Sequence, residues 1–301
     1  MTGPAVGIVG AGAVGQALAV ALVASALPER LLVATRNPDQ ARGLVTDLQD
    51  LAHAARCRSV IEAGDVDDLH GCDAVVIALR GNFTNTAQQN IRRAGAAANA
   101  PALGALARAM HGYRGAVIIV TNPVDLMARR FGEVSACARV FGIGSNLDST
   151  RYRILLARHA RVAPDNVHGH VIGEHGDHAV VCASTTTVAG LPATISVRSL
   201  AEDLRKRPAL IRSGIGRVRC GPSGAVLSTL RKALGLSDGI EELSVPYGDV
   251  WLGIPMRFTG GQAVPCLPRL TPAERLRLDS AASSLRDAYT HLPALTERIA
   301  T

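Results

Sequence analysis

Lysine is nearly missing from this chain: of 32 basic residues only Lys206 and Lys232 are lysines, so arginine carries almost all of the formal net charge of +7. Arginine offers a fixed, two-pronged donor suited to phosphate and carboxylate. No apolar run reaches the roughly 20 residues of a membrane helix, which argues against a membrane-bound protein. The six cysteines (Cys57, Cys72, Cys137, Cys182, Cys220, Cys266) are scattered with no C-x-x-C among them. That pattern fits reduced, mostly buried thiols better than a disulfide frame or a zinc site, so no metal is expected. Residues 1–4 lead into an apolar stretch without a charged start or cleavage signal, and a cytoplasmic location is the expectation. The basic stretch 198–219 is interrupted by Glu202 and Asp203 and lacks interleaved aromatics. It reads as a solvated helix face or a wall for an anionic substrate, not as a nucleic-acid surface.

With 48% hydrophobic and 19% charged residues the chain is not disordered, and 301 residues suit two domains sharing an interface. Short apolar runs at 5–9, 31–35, 74–79, 116–121 and 139–143 alternate with longer helical patterns. Strands apolar over their whole length belong to a parallel sheet covered on both faces. The helical stretch 88–110 contains Pro101, which should kink or divide it. After Asn146 the pattern changes: a helix to about residue 160, strand-like runs at 168–172 and 180–188, then several helices. The expected architecture is an α/β chain. Residues 1–146 form a Rossmann-type, doubly wound, dinucleotide-binding domain, and residues 147–301 a mixed α+β catalytic domain.

Gly10-Ala11-Gly12-Ala13-Val14-Gly15 follows the first strand and opens a helix. In that context G-x-G-x-x-G is informative. One glycine permits the tight turn, one lets backbone N–H groups approach a pyrophosphate, and one allows close helix–strand packing. An acidic residue normally stands about 20 positions on, where it binds the ribose hydroxyls of NAD. Here Thr35 occupies that place, followed by Arg36 and Asn37. A hydroxyl and a guanidinium in place of a carboxylate favour the 2′-phosphate of NADP(H). The alternative is that Arg36 stacks on adenine and NAD(H) still binds.

Further along stand Asn146-Leu147-Asp148-Ser149-Thr150-Arg151, at a helix start, and Gly173-Glu174-His175-Gly176-Asp177, after a strand. Hydride transfer to a carbonyl needs a positioned acid for the alkoxide that develops, and histidine changes charge near neutral pH. A carboxylate on its other nitrogen fixes the tautomer, and Asp148 is the candidate. Arg151, three residues on, shares a helix face with Asp148 and offers a planar fork to a substrate carboxylate.

Together these segments resemble the lactate and malate dehydrogenase family, whose N-L-D-S-x-R and G-E-H-G-D patterns are present with Asp148 and His175 separated by 27 positions. Thr121-Asn122-Pro123-Val124-Asp125 also matches. The resemblance extends from Gly7 to a C-terminal helix near 272–291. It implies that Asp148 and His175 form a proton relay, Arg151 grips the carboxylate, and Asn122 contacts the nicotinamide and the substrate oxygen. It further implies a mobile loop whose arginine polarises the carbonyl. That arginine stands seven residues before Asn99, at Arg92, with Arg93 as the alternative. The substrate implied is a small anionic 2-oxo acid, and the assembly a homodimer or homotetramer.

The departures bear on substrate. Between Arg80 and Arg92 the chain is about three residues longer than the usual loop of the family, so the specificity position falls at Phe83 or Thr86 depending on the end counted from. No arginine lies between Arg80 and Arg92, which disfavours oxaloacetate, since a buried carboxylate without a partner is costly. Val218 replaces a threonine that commonly contacts substrate, and Arg219 is a candidate for an additional anionic group. Arg153 and His168 stand where some bacterial relatives bind an anionic effector, or make ordinary interface contacts. The rival readings are an NAD-dependent lactate dehydrogenase and a non-catalytic homologue that senses dinucleotide or an anion.

Overall fold

The computed structural model describes residues 3–84, 91–194 and 196–293. Its first half is built from β1 (Ala5–Val9), α1 (Ala13–Ala24), β2 (Arg30–Ala34), α2 (Pro38–Ala54), β3 (Val60–Gly64), β4 (Ala74–Ile77), α3 (Ala96–Ala109), β5 (Ala116–Ile119), α4 (Val124–Ser135) and β6 (Val140–Ile143). These six strands are parallel, in the order β3-β2-β1-β4-β5-β6. That is the doubly wound arrangement in which strand order reverses beside β1, and ligands bind outside the carboxyl ends of the strands at that point. The fully apolar runs are there because both faces of the sheet are covered: every residue of β4 and β5 is buried. The edge strand β3, which carries Glu62 and an exposed Val60, was not among the expected strands.

The second half holds α5 (Ser145–Ala160), β7 (Val167–His168), β8 (Val171–Gly173), β9 (Ala179–Val181), β10 (Thr187–Val188), β11 (Leu191–Pro192), α6 (Val197–Ile215), α7 (Cys220–Ala233), β12 (Gly239–Tyr247), β13 (Val250–Thr259), β14 (Gln262–Pro265) and α8 (Pro272–Thr290). The β12–β13 hairpin pairs antiparallel with β6, so the parallel sheet continues through it to β8 and β9. Pro101 does not divide α3, which runs through it; the stretch changes instead at Ile91–Gly95, a short 3-10 segment. One further detail differs from expectation. The run 180–188 is not one strand, since the 3-10 turn Ala183–Thr185 separates β9 from β10.

Helix α8 starts with a capping box: the Thr271 hydroxyl accepts from the Glu274 amide while the Glu274 carboxylate accepts from the Thr271 amide. Burial alone would raise the Glu274 carboxyl. Bonds from the Ser184 hydroxyl and amide and from Thr271 outweigh burial and hold it down to about 2. Since its folded value lies below the unfolded value of about 4.3, the stability it contributes is present above that value and lost as pH falls toward 2. Glu274→Gln is expected to cost about 1–3 kcal/mol at pH 7 and less at pH 3, as measured by urea unfolding at both pH values. An equal loss at both would show that the ionised carboxylate contributes nothing special.

Candidate active site

The glycine turn is shaped for a dinucleotide. Gly10 adopts φ +106°, and a Cβ there would stand 2.8 Å from the Ala78 carbonyl oxygen. A Cβ on Gly15 would lie 1.9 Å from the Gly10 carbonyl oxygen, so helix α1 can cross β1 this closely only without a side chain. Gly12 is different: a Cβ there would meet nothing within 4 Å. It is the N-cap of α1 and borders two cavities, so the helix N-terminus opens onto space where an anion is favoured. The residues present therefore fit a dinucleotide.

One cavity, of about 1000 Å³, runs from Gly10 and Gly12 across the carboxyl ends of β2 and β3. Thr35, Arg36, Asn37, Gln40 and Arg42 form one side, and Asp65 and Asp68 the other. The residue that follows β2 is Thr35, not a carboxylate. The Thr35 hydroxyl donates to the Asn37 carbonyl at 2.5 Å, and the Asn37 side-chain oxygen caps α2 by accepting from the Asp39 amide at 3.0 Å. Both groups thus hold the turn, which differs from the expectation that the Thr35 hydroxyl is available to a phosphate. Arg36 and Arg42 are both exposed; Arg42 pairs with Asp39, and among the described residues Arg36 has no ion-pair partner.

The second cavity, of about 360 Å³, meets the first at Gly12, Ala78, Leu79 and Arg80. Gly12, Ala13 and Val14 lie on one wall, and His175, Arg151, Asn122, Phe83 and Val218 on others. His175 and Asp148 are buried, with Nδ1 of the imidazole 2.6 Å from Oδ2 of the carboxylate. The other carboxylate oxygen accepts from Arg151 Nη1 at 3.2 Å. Helix α5 presents Asp148 and Arg151 on one face, and the turn after β8 brings in His175. The imidazole lies against the backbone of Gly144, where a Cβ would stand 2.5 Å from its Cγ.

The structure adds residues to which the sequence reading gave no role. Asp125, in the first turn of α4, accepts the His175 backbone N–H at 2.9 Å and so anchors the loop carrying the imidazole. It belongs to the Thr121–Asp125 motif, which was its only signal. Buried Asn99 accepts from the Gly81 amide at 2.6 Å and donates to the Asn122 carbonyl at 2.7 Å, tying two walls together. Arg80 lies at the junction of the cavities, its guanidinium 4.1 Å from the centre of the Phe83 ring. Arg212 and Arg217 enter the wall from the end of α6.

Several other candidates are engaged elsewhere or lie outside the described residues. Arg219 is not among the residues lining the cavity: its Nη2 donates to the Ile215 carbonyl at 3.0 Å, satisfying the end of α6. Arg93, the alternative to Arg92, is engaged elsewhere, its Nε 2.7 Å from Glu174 Oε1 and its Nη2 2.9 Å from Ser284 Oγ. Thr86 and the side chain of Arg92 lie outside the described residues. Arg153 donates to Glu242 at 3.1 Å and to the Gly169 carbonyl at 3.2 Å, while His168 is exposed.

A dinucleotide cradle opening onto an imidazole backed by a carboxylate defines a nicotinamide-dependent dehydrogenase. Residues 5–142 match the model of the lactate/malate dehydrogenase NAD-binding domain, and residues 145–211 that of the lactate/malate dehydrogenase α/β C-terminal domain. An L-lactate dehydrogenase of Allorhizobium ampelinum is 30% identical, covering 96% of this chain and 99% of its own length. L-lactate dehydrogenase 2 of Lactococcus lactis is 32% identical over 62% of this chain and 59% of its own length. Among solved structures, the minor L-lactate dehydrogenase of Enterococcus mundtii superposes with a TM-score of 0.89 at 22% identity, covering 97% of this chain and 99% of that one. The malate dehydrogenase of Aeropyrum pernix gives 0.86 at 24% identity over 96% and 98%. At those identities the superpositions show the fold. The chain belongs to the lactate/malate dehydrogenase family and is an oxidoreductase of that type with a nicotinamide cofactor. Among the described residues no helix is long and apolar enough to cross a membrane.

Proposed function

We propose that the protein interconverts a small 2-oxo acid and its 2-hydroxy acid, with NADP(H) as the preferred cofactor and His175 as the proton donor and acceptor. The observation that carries this reading is the 2.6 Å contact of His175 with Asp148, on the wall of a cavity that Arg151 also lines and whose other wall is the glycine turn. When bound, the nicotinamide supplies or accepts the hydride. The backbone at Gly12 to Val14 and the guanidinium of Arg80 would hold the pyrophosphate, and Asn122 the nicotinamide end.

Arg151 binds the substrate carboxylate and thereby sets which face of the carbonyl is presented. The Asp148 carboxylate keeps a proton on Nδ1 of His175 and stabilises the imidazolium, so that the proton exchanged with substrate oxygen is the one on Nε2. His175, Asp148 and Arg151 are themselves buried, which strengthens the charged contacts they make during reaction. Arg92 retains the role of polarising the carbonyl on the family resemblance alone. The chain is read as a homodimer or homotetramer without a nucleic-acid or membrane partner, and the cytoplasm as its location. The boundary between the dinucleotide-binding and catalytic parts is placed at residue 146.

The preference for NADP(H) is supported by the lack of a carboxylate at Thr35 and by the exposed Arg36. The relatives' names favour the rival, an NAD-dependent lactate dehydrogenase. Titration by nicotinamide fluorescence separates the two. NADPH is expected to bind at least about tenfold more tightly than NADH, and Arg36→Ala to remove most of that ratio, as for one charge-assisted bond. Tighter binding of NADH defeats the preference.

A further inference from the structure

The substrate cavity contains more positive charge than a monoanionic 2-oxo acid requires. Arg80, Arg151, Arg212 and Arg217 line it, and no aspartate or glutamate does so among the described residues. Arg80 also lines the dinucleotide cavity, next to Gly12, and its charge is accounted for by the pyrophosphate. Arg151 is accounted for by the substrate's own carboxylate. Arg212 and Arg217 then face the cavity with no assigned anion.

Their placement follows from the end of α6. Arg212 sits in the last turn, Gly216 terminates the helix at φ +74°, and beyond it Arg217 and Val218 line the same cavity as Arg212. A basic residue in a last turn is ordinarily explained by the helix dipole. That explains Arg212 but not Arg217, which lies beyond the helix. Among the described residues neither is ion-paired with a carboxylate. Two like charges converging on one cavity repel one another, and an entering anion turns that repulsion into attraction. A methyl side chain, as in pyruvate, provides nothing for them.

We infer that Arg212 and Arg217 form a specificity site for a second anionic group at the far end of the substrate's side chain. The inference rests on the proposed 2-oxo acid reduction, and it moves substrate selection from the loop following Arg80 to the end of α6. It also removes the ground for disfavouring a second carboxylate, which considered loop residues alone. The chemistry recognised is an oxyanion group, a carboxylate, sulfonate or phosphonate, held by two guanidinium forks.

The test is a steady-state screen of the full-length protein with NADPH, and with NADH in parallel. The substrates are unbranched 2-oxo acids of three to six carbons, each compared with the analogue of equal length ending in carboxylate, and sulfonate- and phosphonate-ended analogues of pyruvate. The best anionic-tailed substrate is expected to exceed its neutral counterpart in kcat/KM by about 10- to 100-fold. That advantage should shrink as ionic strength rises, because both arginines are exposed. Replacing both residues, Arg212→Gln with Arg217→Gln, should bring the ratio close to one, chiefly through KM, and the double lysine replacement should restore part of it. Which tail chemistry benefits most identifies the group recognised. Equal or better rates with the neutral series overturn this inference and leave the proposed reaction standing. So does a double variant whose main defect is lost affinity for NADPH, which would assign the two arginines to the cofactor. Turnover of no 2-oxo acid of either series overturns both.

Discussion

His175→Asn is expected to lower kcat in the reductive direction by at least about a hundredfold, which is about 2.7 kcal/mol of barrier. Asparagine is small enough for the buried space beside Gly144 and can still donate to Asp148, so the packing and the hydrogen bond have a substitute. What it lacks is a proton it can give up and take back near neutral pH. The wild-type reductive rate should fall with rising pH as the imidazole loses its proton, and the oxidative rate should rise. The variant should show neither limb, because the group that titrates is gone. NADPH affinity, read by fluorescence, is expected to stay within a few-fold, since the cavity at Thr35 and Arg36 does not include residue 175 and only the nicotinamide end shares a cavity with it. A residual rate close to wild type, or an unchanged pH profile, would remove His175 from the chemistry while leaving the fold and family intact.

The parts of this chain that could be read in advance are those where one local pattern decides the outcome. Strands β1, β2, β4, β5 and β6 are buried on both faces, and their uninterrupted apolar runs admit few other readings. The turn from Gly10 to Gly15 could be read because its three glycines answer separate steric demands. The hairpin of β12 and β13 could not. It contains Pro246 and Pro255 and places Glu241 and Glu242 side by side, all of which argue against a strand. Those carboxylates are accommodated by distant groups: Glu241 by Lys232, Ser228 and Asn146, Glu242 by Arg153 and His170. None of these partners is identifiable from the local sequence.

The same distinction runs through the site. Asp148, Arg151 and His175 stand in recognisable motifs, and their spacing suggests a common purpose. The roles of Arg212 and Arg217 depend on how α6 folds back over the cleft; the basic stretch 198–219 reads as a wall for an anionic substrate, but the sequence does not say which of its arginines face inward. Arg219 was the natural candidate on alignment of its neighbours. It was displaced because its guanidinium has a nearer carbonyl to satisfy at Ile215.

Arg151→Gln should reduce kcat/KM for any 2-oxo acid by at least about a hundredfold. Removing one member of a buried, hydrogen-bonded charge pair commonly costs 2–5 kcal/mol, part of it the penalty left on the partner. Here the residue faces two carboxylates, the substrate's and that of Asp148, with which it makes a 3.2 Å contact. Two consequences follow from the double engagement, and they are separable. Loss of the substrate fork raises KM and misplaces the carbonyl; loss of the cation beside Asp148 alters the field on His175 and shifts the pH profile of kcat. Arg151→Lys distinguishes them, because it returns a positive charge without the planar pair of donors. The lysine variant should recover the wild-type pH profile more fully than it recovers KM. Should it instead restore KM completely, the planar fork is irrelevant, and positive charge alone at this position suffices to hold the carboxylate. A melting temperature measured for both variants guards against reading a folding defect as lost recognition, since Arg151 is itself buried.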